Sequence, residues 1–225
     1  MFYSAQCQRR RLVTYRRDIM LKKLATIVVK PLLVALNKVS CKTYKKVYPK
    51  YLKWCGVDIE RDYLRGGFDP WISPSAYFDP GYPGLIKLGR GTTVSFEACF
   101  LAHDYSLDKG LYARTGEHGL IVGEIEVGRN CFIGARAMLL PGTRLGDGCI
   151  VGANAVVKGS YEAGSVLAGN PARLLGTVEA MVDRHMAKGD VSFWRGSNCD
   201  YLDLVLAEPK PFVAASRNDD GCKEI

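Results

Sequence analysis

Apolar and polar positions repeat every six residues through the middle of the chain, from Val127 to Ala163. An α-helix would repeat about every 3.6 residues and a lone β-strand every two, so neither explains the pattern. The every-sixth positions are all apolar: Val127, Ile133, Leu139, Leu145, Val151, Val157 and Ala163. A sustained six-residue period predicts a parallel β-helix of hexapeptide repeats, in which three short sides close one coil and every sixth residue points inward. We call this three-sided stack the prism.

Two neighbouring positions repeat with the same period. Glycine follows the inward position at residues 128, 134, 146, 152 and 164, and the residue two places before it is small at residues 131, 137, 143, 149 and 155. Cys131 and Cys149 share that small position one coil apart, so we interpret them as reduced, space-filling thiols. The spacing of the eight cysteines indicates neither a zinc site nor a disulfide framework.

The same phase occurs earlier, at Leu88, Val94 and Phe100, and is then lost until Ile121. This predicts a loop that leaves the prism between Phe100 and Ile121, with regular repeats resuming at about Ile121 and ending near Gly176. Loops on a rigid scaffold are where functional residues concentrate. The predicted loop carries a polar set: His103, Asp104, Tyr105, Arg114, Glu117 and His118.

The N-terminal arm, residues 1–65, differs in pattern and charge. It has helical spacing of apolar residues, with Pro31 expected to kink or divide the pattern, and it holds 16 Lys/Arg against 4 Asp/Glu. Such basic amphipathic helices suit either the surface of an anionic membrane or packing on the domain or a neighbouring subunit. The apolar run from Leu24 to Leu36 is too short to span a bilayer. No nucleic-acid-binding module accompanies the arm, and we expect no nucleic-acid partner.

These patterns predict a mainly β protein with three parts. Residues 1–65 form the basic amphipathic helical arm, residues 66–176 form the β-helix domain, and residues 177–225 form a short amphipathic helix and a tail. The last ten residues, 216–225, are expected to be disordered.

The segments PSAYFDPGYPGLIKLGRGTTVSFEACFLAHDYSL, IGARAMLLPGTRLGDGCIVGANAVV and AGNPARLLG resemble the hexapeptide-repeat acyltransferases, most closely the branch of sugar and exopolysaccharide O-acetyltransferases. The resemblance covers roughly residues 72–176. It implies a left-handed β-helix, a homotrimer with sites between subunits, acetyl-CoA as the acyl donor and a sugar or polysaccharide precursor as the acceptor.

The resemblance also implies site residues. The catalytic histidine of the family corresponds to His103, and a base that titrates near neutral pH is suited to removing a proton from an attacking sugar hydroxyl. Asp104 is interpreted as binding the acceptor, because neighbouring residues of an extended strand point apart. The residues expected to bind the cofactor are Ala135, Ala153, Lys158 and Arg173, of which Lys158 stands one residue earlier than is usual in the family.

Two alternatives stay open. One is an acetyltransferase for another small acceptor, such as an antibiotic, and another is a non-catalytic β-helix that serves as an assembly platform. A zinc enzyme on the same fold is poorly supported, because the three histidines, His103, His118 and His185, are far apart in sequence, and no metal is expected. The sequence therefore predicts an acetyl-CoA-dependent O-acetyltransferase of polysaccharide biosynthesis, either free in the cytoplasm or peripheral at the inner face of the membrane.

Overall fold

The structure is a computed structural model that describes residues 27–65 and 70–191. The expectations for residues 1–26 and for the tail after residue 191 lie outside the described residues. The chain divides into two units, Met1–Met181 and Val182–Ile225. All of the described strands lie in the first unit, and the described part of the second unit is the end of the last helix with a short turn after it.

Within the residues that the structure describes, the first unit contains sixteen short strands. They are β1 (Asp58–Ile59), β2 (Tyr77–Phe78), β3 (Ile86–Leu88), β4 (Thr93–Val94), β5 (Cys99–Phe100), β6 (His103–Asp104), β7 (Ile121–Val122), β8 (Ile125–Val127), β9 (Phe132–Ile133), β10 (Met138–Leu139), β11 (Arg144–Leu145), β12 (Ile150–Val151), β13 (Val156–Val157), β14 (Ser160–Tyr161), β15 (Ser165–Ala168) and β16 (Arg173–Thr177).

The strands make three stacked sheets and one hairpin. Sheet 1 has the order β1-β3-β8-β11-β14, sheet 2 has β16-β15-β12-β9-β4, and sheet 3 has β13-β10-β5-β2, while β6 pairs only with β7. All pairs within the three sheets are parallel except β15 with β16. From β3 to β5 and again from β8 to β15, consecutive strands visit sheets 1, 2 and 3 in rotation. The mainly β, parallel architecture is therefore confirmed. The handedness of the winding stays a prediction.

The inward positions of the six-residue repeat form the core. Val94, Phe100, Ile133, Leu139, Val151 and Val157 are all fully buried, and Leu88, Val127 and Leu145 nearly so. The small positions are buried as well, and the thiols of Cys131 and Cys149 are free. Burial of apolar side chains in this continuous stack is the main stabilising contribution to the fold. The predicted phase is therefore correct from Leu88 to Phe100 and again from Val127 to Val157.

The phase prediction is wrong at Ala163, which is exposed. The side that follows Val157 is two residues shorter than the others, so Leu145 pairs with Tyr161 and Val151 pairs with Leu167. Tyr161 packs against the core at the position predicted for Ala163, and Leu167 is fully buried one repeat later. A shortened last coil thus shifts the register of everything beyond Val157.

The outer faces of the three sheets differ in chemistry. Sheet 1 places charges of alternating sign in register, with Arg144 bridging to Glu124 at 3.8 Å and to Glu126 at 3.7 Å, and Lys87 to Glu124 at 3.4 Å. The outward residues of the other two sheets are mostly apolar. They are Thr93, Phe132, Ile150 and Val166 on sheet 2, and Tyr77, Cys99, Met138 and Val156 on sheet 3.

Two helices precede the strands: α1, described over residues 27–39, and α2 (Cys41–Cys55). Pro31 does not divide the described part of α1. The break falls instead at Ser40, whose hydroxyl accepts the Thr43 N–H and caps α2. One face of α2 packs on the β-core through Tyr44, Tyr48 and Leu52, and the Tyr44 hydroxyl donates to the carbonyl of Ile72 at 2.7 Å. This bears out the packing interpretation for that face.

The loop predicted after Phe100 is present and contains a hairpin and a helix. Strands β6 and β7 pair antiparallel, with α3 (Asp108–Thr115) between them. Ile121 lies in this hairpin opposite Asp104, so the prism resumes at β8 and not at Ile121. The last helix, α4 (Val178–Lys188), begins one residue after the predicted Thr177.

Two further findings concern the described residues. None of the helices that the structure describes is both long and apolar enough to cross a membrane. Cys41 is disulfide-bonded, which the cysteine spacing did not indicate.

Candidate active site

His103 opens the loop that leaves the prism. It lies in β6, three residues beyond the buried Phe100 that ends β5, where the chain turns away from the stack. Pairing with Val122 across the hairpin fixes its backbone. The side chain is 36% exposed, so one edge of the imidazole reaches solvent. The histidine is therefore held on a rigid frame at the surface of the prism.

A buried carboxylate, Asp79, holds one nitrogen of this imidazole. Asp79 follows β2 on the neighbouring coil and its side chain is fully buried. Its Oδ2 contacts Nδ1 of His103 and accepts the N–H of Ala102 at 3.1 Å, while its Oδ1 accepts the N–H of Gly81 at 2.9 Å. Both carboxylate oxygens thus have hydrogen-bond donors, and the orientation of the carboxylate is fixed.

This contact assigns the tautomer of His103. A carboxylate is an acceptor, so Nδ1 carries the hydrogen and the lone pair lies on Nε2. The Tyr82 ring lies beside the imidazole, with ring centroids 5.5 Å apart. A histidine oriented in this way by a buried acid has the form that general-base catalysis requires.

Asp104 points elsewhere, as the strand geometry predicted. Its Oδ1 accepts the N–H of Ser106 at 2.8 Å. Hydrogen bonds from the backbone and hydroxyl of Ser106 lower the pKa of Asp104, and the positive charge of Lys158 lowers it further. Lys158 follows β13 at the end of sheet 3, so the structure brings the ammonium group of Lys158 within electrostatic range of Asp104, next to His103.

The other predicted cofactor residues lie apart from His103 within one chain. Ala135 and Ala153 stack one coil apart in the turns after sheet 2, where the carbonyl of Ala135 accepts the N–H of Asn154 at 2.9 Å. Arg173 begins the edge strand β16 and is exposed, with its guanidinium Nη1 donating to the carbonyl of Ala172 at 3.1 Å. The strands of sheet 3 separate the turns that hold the two alanines from the loop that holds His103.

The remaining histidines have acidic partners of their own. Nδ1 of His118 lies 3.1 Å from Asp108, and the Tyr112 ring stacks on the His118 imidazole at 4.6 Å. In the second unit, Nδ1 of His185 lies 3.0 Å from Asp190. Among residues 27–65 and 70–191, no group of three or more His, Cys, Asp or Glu side chains could hold a metal ion.

Asp79 is the functional residue that the sequence reasoning missed. It lies in a proline-rich segment where the six-residue count fails, because the spacing of Phe78 from its partner Phe100 is not a multiple of six. The available signal was an acidic residue directly after an aromatic pair, Tyr77-Phe78, in which Tyr77 points outward and Phe78 points inward. Counting back by register, and not by six, would have placed Asp79 beside the strand that leads to His103.

Comparison with known proteins supports the repeat and its class. The family described as hexapeptide repeat of succinyl-transferase matches residues 124–158. The protein YvoF of Bacillus subtilis (strain 168), which is named provisionally as an acetyltransferase, is 31% identical over 103 residues. These cover 46% of this chain and 54% of YvoF, so the chain spans about half the length of the curated relative that it matches.

Solved structures show weaker likeness. A galactoside acetyltransferase in complex with coenzyme A is 17% identical, with 80% of this chain and 88% of that chain covered and a TM-score of 0.48. A hexapeptide-repeat containing acetyltransferase from Vibrio cholerae O1 biovar eltor, complexed with acetyl coenzyme A, is 22% identical over 46% of this chain and 54% of that chain, with a TM-score of 0.39.

The repeat match and the curated relative together support the hexapeptide-repeat acyltransferase family for this chain, as the sequence predicted.

Proposed function

We propose that this protein is an acetyl-CoA-dependent O-acetyltransferase that acts on a hydroxyl of a sugar or polysaccharide precursor. The observation that carries the proposal is the pair of His103 and buried Asp79, since an imidazole held at Nδ1 and exposed at its other edge is suited to accept a hydroxyl proton at Nε2. The repeat family and the acetyltransferase relative support the reaction class.

His103 and Asp79 have different roles in the activation of the acceptor hydroxyl. The bound thioester supplies the acetyl group: its C–S bond breaks as the C–O bond of the ester forms, and the departing thiolate of coenzyme A takes up the proton that His103 has accepted. Nε2 of His103 takes the proton of the acceptor hydroxyl as the hydroxyl oxygen attacks, and the carboxylate of Asp79 stabilises the positive charge that develops on the imidazole. Because the Asp79 carboxylate is already fixed by the N–H groups of Gly81 and Ala102, little reorganisation accompanies proton transfer. Asp104, the half-buried residue that follows His103 in β6, is assigned to acceptor hydroxyls.

The donor is assigned to the basic and small residues near the prism surface. Arg173 and Lys158 are both exposed cations, and their charge suits the phosphates of coenzyme A. Ala135 and Ala153 leave the surface of their turns open to a slender pantetheine chain. The exposed guanidinium of Arg173 fits this role, although the arrangement of donor against protein follows from the family resemblance.

A homotrimer would complete this site. In one chain the two alanines precede strands of sheet 3 and His103 follows a strand of sheet 3, so they lie at opposite ends of its strands. A donor bound between subunits can therefore contact His103 of one copy and Ala135 and Ala153 of another. The outer faces of sheets 2 and 3 are mostly apolar and suit burial between copies, whereas sheet 1 carries paired charges that suit water. We assign sheet 1 to the outside of the trimer.

The proposal is tested by following release of the free thiol of coenzyme A from acetyl-CoA in the presence of a panel of sugars and oligosaccharides. A mass increase of one acetyl group on the acceptor identifies an ester, and a reaction without acceptor measures background hydrolysis. Acceptor-dependent thiol release supports the function. Tight binding of acetyl-CoA with no transfer to any hydroxyl on the panel, or no binding of acetyl-CoA at all, would count against it.

A further inference from the structure

Helix α1 exposes an apolar stripe in addition to the face that packs on the protein. Val28, Leu32, Ala35 and Val39 are spaced by four, three and four residues and therefore lie along one face of the helix. Val28 is 62% exposed, Leu32 64% and Val39 86%. A different face, with Leu33 at its centre, contacts the core. The exposed stripe therefore takes no part in packing α1 on the rest of the protein.

Helix α2 repeats this design. Its buried face is formed by Tyr44, Tyr48 and Leu52, yet Val47 and Trp54 project from another face at seven-residue spacing, 37% and 46% exposed. Trp54 lies beside the Tyr51 ring, with centroids 6.2 Å apart. Tryptophan and tyrosine with one apolar and one polar end favour the boundary between water and lipid.

The charge on these helices has one sign. Residues 27–57 contain seven lysines and no aspartate or glutamate. Five of the lysines are exposed: Lys38, Lys42, Lys46, Lys50 and Lys53. On α2 they lie on the face next to Val47 and Trp54. Sheet 1 differs, because each of its outward charges has a neighbour of opposite sign. The basic field around the stripes is therefore not neutralised within the helices.

We propose that the exposed stripes of α1 and α2, with the flanking lysines, dock this protein on the surface of an anionic lipid bilayer. Apolar side chains that enter the headgroup boundary and lysines that meet anionic lipids form a two-part attachment, and each part reinforces the other. A second copy of the chain is a poorer occupant, because it would bring the same positive charge against this surface.

The first arm of the test uses the full chain in a vesicle co-sedimentation assay. Vesicles of phosphatidylcholine alone are compared with vesicles in which phosphatidylglycerol replaces part of the phosphatidylcholine. The protein should sediment with the anionic vesicles, and binding should weaken as salt is raised, because salt screens the attraction. Equal binding to both kinds of vesicle, or binding to neither, overturns the proposal.

The second arm uses two matched pairs of variants. Val28→Ser should weaken binding to anionic vesicles by about tenfold, since it removes an inserted apolar side chain. Val182→Ser, the same change on the exposed surface of α4, should leave binding unchanged. Lys46→Glu should weaken binding by at least about fivefold, and Lys109→Glu on α3 should not.

Light scattering of the same variants tests whether a second copy of the chain, and not a membrane, covers the stripes. All four changes are at exposed positions, so the oligomer mass and the melting temperature should match those of the parent protein. If Val28→Ser lowers the oligomer mass and leaves vesicle binding intact, the stripe is an interface between copies and the proposal is wrong. If the two members of each pair lose vesicle binding equally, the effect is general and the proposal is also wrong.

Discussion

The fully buried carboxylate of Asp79 holds Nδ1 of His103, and the two residues come from neighbouring coils of the prism. Asp79 follows β2 and His103 lies in the hairpin that follows β5, and β2 and β5 are adjacent strands of sheet 3. The pairing therefore depends on the stacking of coils. This relationship gives the prism a direct role in the candidate chemistry, because any shift between the two coils would move the acid away from the base.

The role of Asp79 is open to a direct test. Asp79→Asn keeps the size of the side chain, but its amide can donate to Nδ1 and thereby favour the wrong tautomer of His103. We expect kcat to fall by about 100-fold, with KM for acetyl-CoA little changed. The matched control is Asp108→Asn, which alters the His118 pair in the same way and should leave kcat within about threefold of the parent value. A larger loss in Asp108→Asn than in Asp79→Asn would assign the base to His118.

Arg173 should act on donor binding and not on the chemical step. Removing a charge-assisted contact to a phosphate costs about 1–3 kcal/mol. Arg173→Ala should therefore raise KM for acetyl-CoA, by about fivefold to 100-fold, and leave kcat nearly unchanged. Comparison with the dephospho-CoA thioester tells which phosphate is involved, since the variant should lose much less on that donor if the contact is to the 3′-phosphate. A loss confined to kcat would contradict this assignment.

The apolar face of sheet 2 should be buried between copies. Phe132 projects from that face and is 44% exposed in one chain. Phe132→Glu should break the trimer, because a charge buried in an apolar interface without a partner costs several kcal/mol. Ser160→Glu places the same charge on the outer face of sheet 1, opposite Arg144, and should leave the trimer intact. Sedimentation velocity measures both masses, and a trimeric Phe132→Glu would show that the interface lies elsewhere.

Close stacking of the coils depends on glycine at a particular corner. A Cβ on Gly134 would lie 2.6 Å from both the amide nitrogen of Ala153 and the carbonyl oxygen of Val151, and neither backbone atom can yield easily. Gly134→Ala should lower the free energy of unfolding by about 1–3 kcal/mol or more. A Cβ on Gly110, inside α3, would point into open space, and Gly110→Ala should raise the free energy of unfolding by about 0.5–1 kcal/mol. Denaturant midpoints measure both, and an unchanged midpoint for Gly134→Ala would contradict the stacking geometry.

The repeat predicted the prism because each inward position faces the same environment, a dry stack of apolar side chains. The requirement for an apolar side chain falls on every sixth residue only while each side of the prism has six residues. The side of the prism that follows Val157 is shorter, so Ala163 continues the six-residue count in the sequence but is exposed in the structure. The prediction at Ile121 is wrong for a similar reason. Ile121 is apolar and fits the six-residue count, but it pairs with Asp104 in a hairpin outside the prism.

The candidate base could be predicted from the sequence, whereas its partner could not. His103 belongs to an Ala-His-Asp segment with a family resemblance, and Asp104 is the obvious neighbouring acid. The structure shows that neighbours in a strand point apart and that the acid in contact comes from the preceding coil. Contacts of this kind depend on the register between coils, which the irregular, proline-rich segment around Asp79 does not reveal.

The central claim is that His103 removes the acceptor proton during acetyl transfer, and steady-state kinetics of His103→Ala test it most directly. With the acceptor identified by the thiol-release screen, and with a variant whose mass and melting temperature match those of the parent, kcat should fall by about 100-fold or more. KM for acetyl-CoA should be nearly unchanged, because the imidazole acts on the acceptor hydroxyl and not on the nucleotide. Turnover within a few-fold of the parent value in that intact variant would contradict the account.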